Sequence, residues 1–203
     1  MIEIYLVRHG ETDYNKNHRL IGGRSSHIHI NERGIQQSRQ LGAWFRKNNL
    51  YFDAVYGSTS NRAQQTLKYI FNGSLPSDVI LTAELEELSQ GAWEGKERAE
   101  IYTDKQLEII NSNNYTFKAP GGESQQEVET RMYQVMEPII SQLQDGKILV
   151  VSHGTAIKCL LRKILNSDAA MTYKIGISNC GVTKILYSPN KGWEIEYINR
   201  LIQ

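Results

Sequence analysis

The chain has 203 residues, of which 40% are hydrophobic and 22% charged, and its formal net charge is +1. This length is typical of one domain with a substantial core, so we expect a single domain over residues 1–203. The nearly balanced charge, without long basic or acidic runs, argues against a nucleic-acid surface and a disordered tail. No apolar run approaches the roughly 18 residues of a membrane-spanning helix, and the first residues lack a secretory signal. We therefore expect a cytoplasmic protein.

Hydrophobic periodicity predicts strands and helices that alternate along the chain. Apolar, β-prone runs predict strands at 2–8, 53–58, 79–82, 147–152, 182–187 and 193–198. Helical spacing predicts helices that start at Asn31 and that cover 60–71, 96–112, 123–143 and 155–165. Pro138 is expected to bend or break its helix. The alternation predicts an α/β fold, a three-layer αβα sandwich around a mainly parallel sheet that ends in an antiparallel pair.

Chemically active side chains follow three of the predicted strands. Arg8 and His9 end the first strand, and His153 ends the strand at 147–152. Arg62 lies in the first turn of the helix after the second strand. Because ligands bind beyond the carboxyl ends of parallel strands, we expect these four side chains to converge. Two arginines and the amino ends of helices favour an anion such as a phosphoryl group.

Each of these residues, taken alone, has a structural explanation that is more common than catalysis. Arg8 suits a surface salt bridge, Arg62 a solvated helix position, and His153 a hydrogen-bonded position in the core. The strand–His–Gly pattern occurs twice, however, at His9-Gly10 and His153-Gly154. This repetition favours a shared site over independent structural roles.

The other histidines and the cysteines do not indicate a metal site. His27 and His29 form an HxH pair, but no cysteine or nearby aspartate completes a ligand set. We interpret both as surface-loop residues. Cys159 and Cys180 lack the spacing of metal ligands, and Cys159 lies in an apolar helical run typical of a buried thiol.

Five segments occur in an order that resembles the histidine phosphatase superfamily, in the branch that contains cofactor-dependent phosphoglycerate mutases and related small phosphatases. The segments are LVRHGETDYN (6–15), STSNRAQQT (58–66), ELEELSQGAWEG (84–95), PGGES (120–124) and VSHGTAIKCLL (151–161). The resemblance covers nearly the whole chain and implies a phosphoglycerate mutase-like fold. The tripeptide RHG alone would be a weak signal, but five segments in order are a strong one.

The resemblance implies a role for each residue of the predicted site. His9 would be the nucleophile that becomes a phosphohistidine, and it must be neutral to attack. Arg8, Arg62 and a protonated His153 would hold the phosphoryl oxygens and offset their growing charge. The remaining contacts to the phosphoryl group would come from Asn15, Gly22 and Gly154.

The alkoxide that leaves the phosphorus needs a proton, and three glutamates are candidates. The acid of the family lies four residues before the glycine of its G-x-W-E-G segment, which is Gly91 here. This spacing assigns the role to Glu87. Glu86 is the second choice, because a shift of one residue would exchange the two, and Glu84 is the third candidate.

Two neighbouring segments bear on the shape of the site. Trp93 and Glu94 are interpreted as packing residues beside it. The family often has an S/T-D-x-P-L-T-E-x-G stretch after its first motif, and the chain has SSHIHINERG (25–34) instead. This departure predicts a changed loop at the rim of the pocket and leaves the nucleophile unaffected.

The segment at 96–119 favours a phosphatase. Members of the family with mutase activity carry an insertion with paired arginines there, whereas this chain has a lone Arg98. We therefore expect a metal-independent phosphomonoesterase that acts through a phosphohistidine on a small phosphorylated metabolite. No metal or organic cofactor is expected, because arginines and histidines supply the positive charge.

Two alternatives remain. A cofactor-dependent phosphoglycerate mutase would need Lys96, Arg98 and Lys118 to neutralise a carboxylate, although a lone cation lacks the bidentate fit of paired arginines. An inactive phospho-ligand binding module would usually have lost a charged residue of the pocket, and none is missing. The sequence does not specify the substrate. The expected partner is a small phosphate ester, with no nucleic acid and no membrane, and the protein is expected to be a monomer or homodimer.

Overall fold

The computed structural model describes residues 1–202 and contains one six-stranded sheet with helices on both faces. Its strands are β1 (Ile2–Arg8), β2 (Ala54–Ser58), β3 (Ile80–Thr82), β4 (Gly146–Ser152), β5 (Val182–Ser188) and β6 (Gly192–Arg200). They are hydrogen-bonded in the order β3-β2-β4-β1-β5-β6. The first four in this order are parallel, and β5 is antiparallel to both β1 and β6. The predicted α/β fold with a mainly parallel sheet is confirmed.

The helices connect these strands and cover the sheet. They are α1 (Asp13–Asn17), α2 (Glu32–Lys47), α3 (Asn61–Ile70), α4 (Arg98–Ile101), α5 (Asp104–Ser112), α6 (Gln125–Gln142), α7 (Gly154–Leu165) and α8 (Met171–Lys174). The predicted continuous helix at 96–112 is wrong, because two helices occupy this range. Thr103 is extended between them, and its hydroxyl accepts from the Gln106 amide to cap α5.

Of the bend or break expected at Pro138, the break does not occur. Helix α6 continues through this residue to Gln142. Proline removes one backbone hydrogen bond, the one to the carbonyl of Gln134 four residues earlier. Because Gln134 and Pro138 are both exposed, water can satisfy that carbonyl, so the helix tolerates the proline.

The core is divided into two layers, one on each face of the sheet. Successive side chains of a strand point to opposite faces. Ile148 and Val150 of β4 accordingly belong to the cluster that includes residues of α6 and α7, whereas Leu149 and Val151 belong to the cluster that includes residues of α2 and α3. Burial on both faces explains why this strand is apolar throughout.

The strands that carry the predicted site residues are adjacent. β4 lies between β2 and β1, with Arg8 opposite Ser152 and with both Val7 and Gly57 opposite Val151. The three strands therefore end at the same edge of the sheet, where their following loops meet. Within residues 1–202, the helices are too short or too polar to cross a bilayer.

Candidate active site

His9 and His153 lie side by side at the carboxyl edge of the sheet. Their ring centroids are 5.1 Å apart, with a 58° angle between the ring planes. His9 is 4% exposed and His153 is fully buried. The adjacent strands β1 and β4 end just before them, and the His9 amide donates to the carbonyl of Ser152 (3.0 Å). The predicted convergence of the two histidines is therefore confirmed.

The ring of His9 is held in one orientation. Its Nδ1 lies 2.8 Å from the carbonyl oxygen of Gly10, which can only accept a hydrogen bond. This contact assigns the proton to Nδ1 and leaves Nε2 with a free lone pair. Burial, followed by the positive charges of Arg62 and Arg8, lowers the pKa of His9 well below its ordinary value. The ring is therefore neutral near neutral pH, as a nucleophile requires.

His153 is held by partners on both ring nitrogens. Arg62 Nε donates to Nδ1 (3.2 Å), and Nε2 lies 2.8 Å from the hydroxyl of Ser58 and 3.3 Å from that of Ser60. An arginine N–H is always a donor, so Nδ1 must accept and the proton lies on Nε2. Burial and the charge of Arg62 lower the pKa of His153 well below its ordinary value. The expected protonated His153 is thus disfavoured in the free protein.

Arg8 has an unused donor at the site. Its Nη1 donates to the carbonyl of Ile177 (2.6 Å), but its buried Nε has no hydrogen-bond partner among residues 1–202. A buried donor without a partner costs roughly 1–3 kcal/mol. Burial lowers the pKa of Arg8, while the nearby carboxylate of Glu87 opposes this. An anion bound beside Arg8 would satisfy Nε and share its charge.

Arg62 connects His153 to the loop that follows Gly22. Its terminal nitrogens donate to the carbonyls of Gly23 (3.0 Å), Arg24 (2.9 Å) and Ser25 (3.0 Å). The side chain is buried, and burial lowers its pKa. Arg62 therefore lies beside both histidines, as predicted, and also fixes the loop. Its direct contact with a phosphoryl group stays a prediction.

Glu94 holds the same loop from the other side. Its carboxylate accepts from the amides of Arg24 (3.0 Å), Ser25 (2.9 Å) and Gln90 (3.0 Å). Gly23 has a φ of +68°, and a Cβ there would lie 2.5 Å from Oε1 of Glu94. Only glycine suits this backbone and this contact. These bonds support the packing role predicted for Glu94.

The carboxylate of Glu87 lies at the amino end of α7. It accepts from the amides of Leu88 (2.9 Å), Ala156 (3.0 Å) and Thr155 (3.1 Å). Its negative charge raises the pKa of both Arg8 and Arg62, which places it within electrostatic reach of the site. The residue predicted as the proton donor is therefore held in place by backbone amides and lies near the two arginines of the site.

Glu86 is the second acidic group of the site, and Glu84 lies outside it. Glu86 is 8% exposed and accepts from the hydroxyls of Thr59 (2.7 Å) and Ser26 (3.2 Å). Its Oε2 lies 3.4 Å from Nε of Arg24. Glu84 is exposed and bonds to Thr82 at the surface. The geometry therefore keeps Glu86 and Glu87 as candidate acids.

Asn15 is joined to His9 through Asn179, a residue that the sequence did not single out. Asn179 Nδ2 donates to the carbonyl of His9 (2.9 Å) and to Oδ1 of Asn15 (3.1 Å). Oδ1 of Asn15 also accepts from the amide of Thr12 (3.2 Å). Because its oxygen is occupied, Asn15 has its Nδ2 to offer to a ligand, as the predicted role in phosphate binding requires.

The two glycines predicted in the phosphate pocket lie in separate segments, Gly22 in a loop and Gly154 at the start of a helix. The carbonyl of Gly22 accepts from the hydroxyl of Ser25 (2.5 Å), at the start of the loop that Arg62 fixes. Gly154 is buried and begins α7, and a Cβ there would lie 3.4 Å from Nε of Arg8. Gly154 thus lies next to the unused donor of Arg8.

Arg131 of α6 organises the acidic segment, and sequence reasoning missed it. Its Nη1 donates to the carbonyls of Glu84 and Glu86 (both 2.7 Å), and Nη2 donates to the carbonyl of Glu87 (3.1 Å). Its guanidinium also pairs with Glu123 through two bonds of 3.0 Å. The PGGES segment contains Glu123, but no pattern in the sequence indicated its arginine partner.

The remaining histidine pair lies at the surface. His27 and His29 are exposed, and His29 has Gln65 (2.8 Å) and Asn61 (3.5 Å) as neighbours. Their interpretation as surface-loop residues is confirmed. In the part of the chain that the structure describes, no group of three or more His, Cys, Asp and Glu side chains is arranged to hold a metal ion.

Comparison with known proteins identifies the family of the chain. Residues 4–200 match the family model of the histidine phosphatase superfamily (branch 1). A protein of Enterobacter sp. (strain 638) named probable phosphoglycerate mutase GpmB is 31% identical over 204 residues, which covers 97% of this chain and 92% of that protein.

Solved structures share the fold. A phosphoserine phosphatase of Entamoeba histolytica, solved in complex with 3-phosphoglyceric acid, has a TM-score of 0.84 at 26% identity and covers 98% of both chains. A mycobacterial glucosyl-3-phosphoglycerate phosphatase has a TM-score of 0.82 at 24% identity, covering 98% of this chain and 99% of that chain. Because the family model spans nearly its whole length, the chain belongs to branch 1 of the histidine phosphatase superfamily.

Proposed function

We propose that the protein is a metal-independent phosphomonoesterase that acts through a phosphohistidine at His9 on a small phosphate ester. The observation that carries this proposal is the state of the His9 ring. It is neutral, its Nδ1 is held by the carbonyl of Gly10, and its Nε2 is free to attack. Arg8 and Arg62 lie beside it and bring positive charge to an incoming dianion.

The reaction has two steps. In the first, Nε2 of His9 attacks the phosphorus, the bond from phosphorus to the ester oxygen breaks, and the leaving alkoxide takes a proton from a carboxylic acid. In the second, water attacks the phosphohistidine and gives its proton to the same carboxylate, which releases inorganic phosphate and restores His9. Arg8 and Arg62 offset the charge on the phosphoryl oxygens in both steps.

We assign the proton transfer to Glu87, with Glu86 as the alternative. Glu87 matches the spacing of the acid in the family and lies within electrostatic reach of Arg8 and Arg62. Three backbone amides hold its carboxylate in a fixed position, where it can pass a proton in the first step and accept one from water in the second.

A phosphoglycerate mutase is the second candidate, and the name of the Enterobacter relative supports it. Two of the three cations that it would need already have partners. Lys118 pairs with Glu127 (2.5 Å), and the guanidinium of Arg98 lies 4.9 Å from the ring centroid of Tyr102. The phosphatases among the structural relatives and the absence of an arginine pair at 96–119 favour hydrolysis.

Hydrolysis of p-nitrophenyl phosphate in excess chelator tests the proposal. Wild type is compared with His9→Ala and with His29→Ala, which removes an exposed histidine outside the site. We expect turnover in wild type and His29→Ala and none in His9→Ala. Normal turnover in His9→Ala would contradict the mechanism. If wild type is inactive, 3-phosphoglycerate with its bisphosphate primer tests the mutase, and failure of phosphohistidine labelling would favour an inactive binding module.

A further inference from the structure

A cavity of about 610 Å³ lies next to the proposed proton donor. Two residues of its wall adjoin Glu87. Leu88 follows it in the chain, and the amide of Thr155 donates to its Oε2 (3.1 Å). The volume is in the range of small-molecule sites, roughly 300–1,000 Å³. An alcohol that receives its proton from Glu87 would therefore extend into this cavity.

The wall of the cavity is rich in aromatic side chains. They are Trp93, Tyr102, Phe117 and Tyr173. Trp93 packs against Phe117 at a centroid distance of 5.7 Å with 32° between the planes, and against Tyr102 edge-on at 6.1 Å. Aromatic walls of this kind favour a flat apolar group, which gains both burial and ring–ring contacts.

Helix α5 supplies apolar side chains to the same cavity. None of its residues is buried, although Leu107 and Ile110 line the cavity. Leu107 is 38% exposed. The helix thus turns two large aliphatic side chains toward the cavity, where an apolar ligand would cover them.

The cavity wall carries few charges. Arg98 and Glu123 are its two charged residues within the described chain. Glu123 is paired with Arg24 (2.8 Å) and Arg131 (3.0 Å), and Arg98 stacks on Tyr102. The carboxamides of Gln90, Asn111 and Asn114 offer neutral hydrogen bonds instead.

We propose that this cavity binds the alcohol part of the substrate, and that this part is an uncharged group that carries an aromatic ring. This inference rests on the proposed function, because it assumes that the phosphoryl group lies at His9. It favours a ring over a small carboxylate, because Trp93, Phe117 and Leu107 offer the wall of the cavity no charge.

Two matched phosphate esters test the inference. The value of kcat/KM is measured for 2-phenylethyl phosphate and ethyl phosphate, which are both esters of primary alcohols and differ in the ring. We expect the first to exceed the second by about tenfold or more, since burial of one apolar ring commonly brings such a factor. Phosphoserine, with its charged alcohol part, is expected to be turned over less well than 2-phenylethyl phosphate.

Two variants of α5 test the location. Leu107→Asp places a charge in the cavity wall and is expected to reduce the ratio of the two kcat/KM values by about threefold or more. Ile109→Asp is the control, because Ile109 lies on the same helix, is 45% exposed and does not line the cavity. It should leave the ratio unchanged.

The outcomes separate this inference from the proposed function. Equal kcat/KM for the two esters in wild type, or faster turnover of phosphoserine, would overturn the inference and leave the phosphatase proposal intact. The inference would also be overturned if Leu107→Asp and Ile109→Asp lowered the ratio of the two kcat/KM values equally. Failure to hydrolyse any ester, p-nitrophenyl phosphate included, would remove the proposed function and the inference together.

Discussion

Arg62 Nε donates a hydrogen bond to Nδ1 of His153, and this contact determines the protonation of the second histidine. A guanidinium cannot accept, so the imidazole must present a lone pair to it and remain neutral. In the free protein His153 consequently carries no charge of its own. In the proposed reaction, the positive charge that an incoming phosphoryl group meets would come from Arg8 and Arg62. A protonated His153 would require a bound anion to offset the repulsion from Arg62.

The first prediction concerns the pH dependence of stability. In the folded protein, the pKa values of His9 and His153 lie well below the ordinary value of about 6.5. Below about pH 6.5, these histidines therefore bind more protons in the unfolded chain than in the folded protein. Their contribution to the free energy of unfolding is complete above about pH 6.5 and is lost as the pH falls toward their folded pKa values. We expect each histidine to add a slope of up to about 1.4 kcal/mol per pH unit in this window.

Urea unfolding of wild type, His153→Gln and His29→Gln between about pH 7.5 and about pH 5 measures this slope. His153→Gln should show a shallower loss of stability than wild type. His29→Gln, which changes an exposed histidine, should follow wild type. Identical slopes in wild type and His153→Gln would contradict a neutral, buried His153.

The second prediction concerns the unused donor of Arg8. Because Nε has no partner within residues 1–202, a bound phosphate would gain a charge-assisted hydrogen bond without breaking another. Arg8→Lys keeps the charge and removes this donor, so we expect inhibition by inorganic phosphate to weaken about tenfold or more, the equivalent of roughly 1.5–3 kcal/mol. The inhibition constant is the measurement. Arg33→Lys changes an exposed arginine and should leave that constant unchanged.

Much of this site could be predicted from the sequence because its main features are local. An apolar run followed by Arg8 and His9, and another followed by His153, place those residues at strand ends. The rule that parallel strands share a carboxyl edge then brings them together. The order of the strands, with β4 between β1 and β2, agrees with that expectation.

The features that the sequence did not predict depend on contacts between distant segments. The protonation of His153 depends on Arg62, which lies 91 residues earlier in the chain. The role of Arg131 depends on carbonyls 44 to 47 residues away, which no local pattern shows. The division of the helix predicted at 96–112 depends on the extended backbone of Thr103, which competes with helical propensity.

The third prediction distinguishes Glu87 from Glu86. An acid that protonates the leaving oxygen matters for an alkoxide and matters little for p-nitrophenolate, which leaves without help. Glu87→Gln is therefore expected to lower kcat for 2-phenylethyl phosphate far more than for p-nitrophenyl phosphate. The ratio of the two losses is the measurement, because the amide of glutamine also faces backbone donors and affects both substrates.

Glu86→Gln is the matched variant for this experiment. Its partners are hydroxyl groups and Arg24, and glutamine can bond to them as well. We expect similar losses on both substrates. The opposite result would assign the role of the acid to Glu86. In that result, Glu86→Gln lowers kcat selectively for 2-phenylethyl phosphate, and Glu87→Gln lowers kcat equally for both substrates.

The fourth prediction concerns Arg131, which positions the backbone of residues 84–87. It donates to three carbonyls of this segment and pairs with Glu123, and its side chain is 11% exposed. Arg131→Met keeps much of the apolar stem but leaves the three carbonyls without this donor and leaves Glu123 with Arg24 as its arginine partner. We expect the free energy of unfolding to fall by roughly 2–4 kcal/mol.

Arg131→Met should also impair catalysis in a manner that instability alone would not produce. If the arginine positions Glu87, kcat of the folded variant should fall more for 2-phenylethyl phosphate than for p-nitrophenyl phosphate. This is the pattern expected of Glu87→Gln. Glu123→Gln provides a comparison, since it weakens the charge pair while leaving the arginine free to donate to the carbonyls. Glu123→Gln should preserve the ratio of the kcat values for the two substrates. Equal losses on both substrates in folded Arg131→Met would restrict Arg131 to a role in stability.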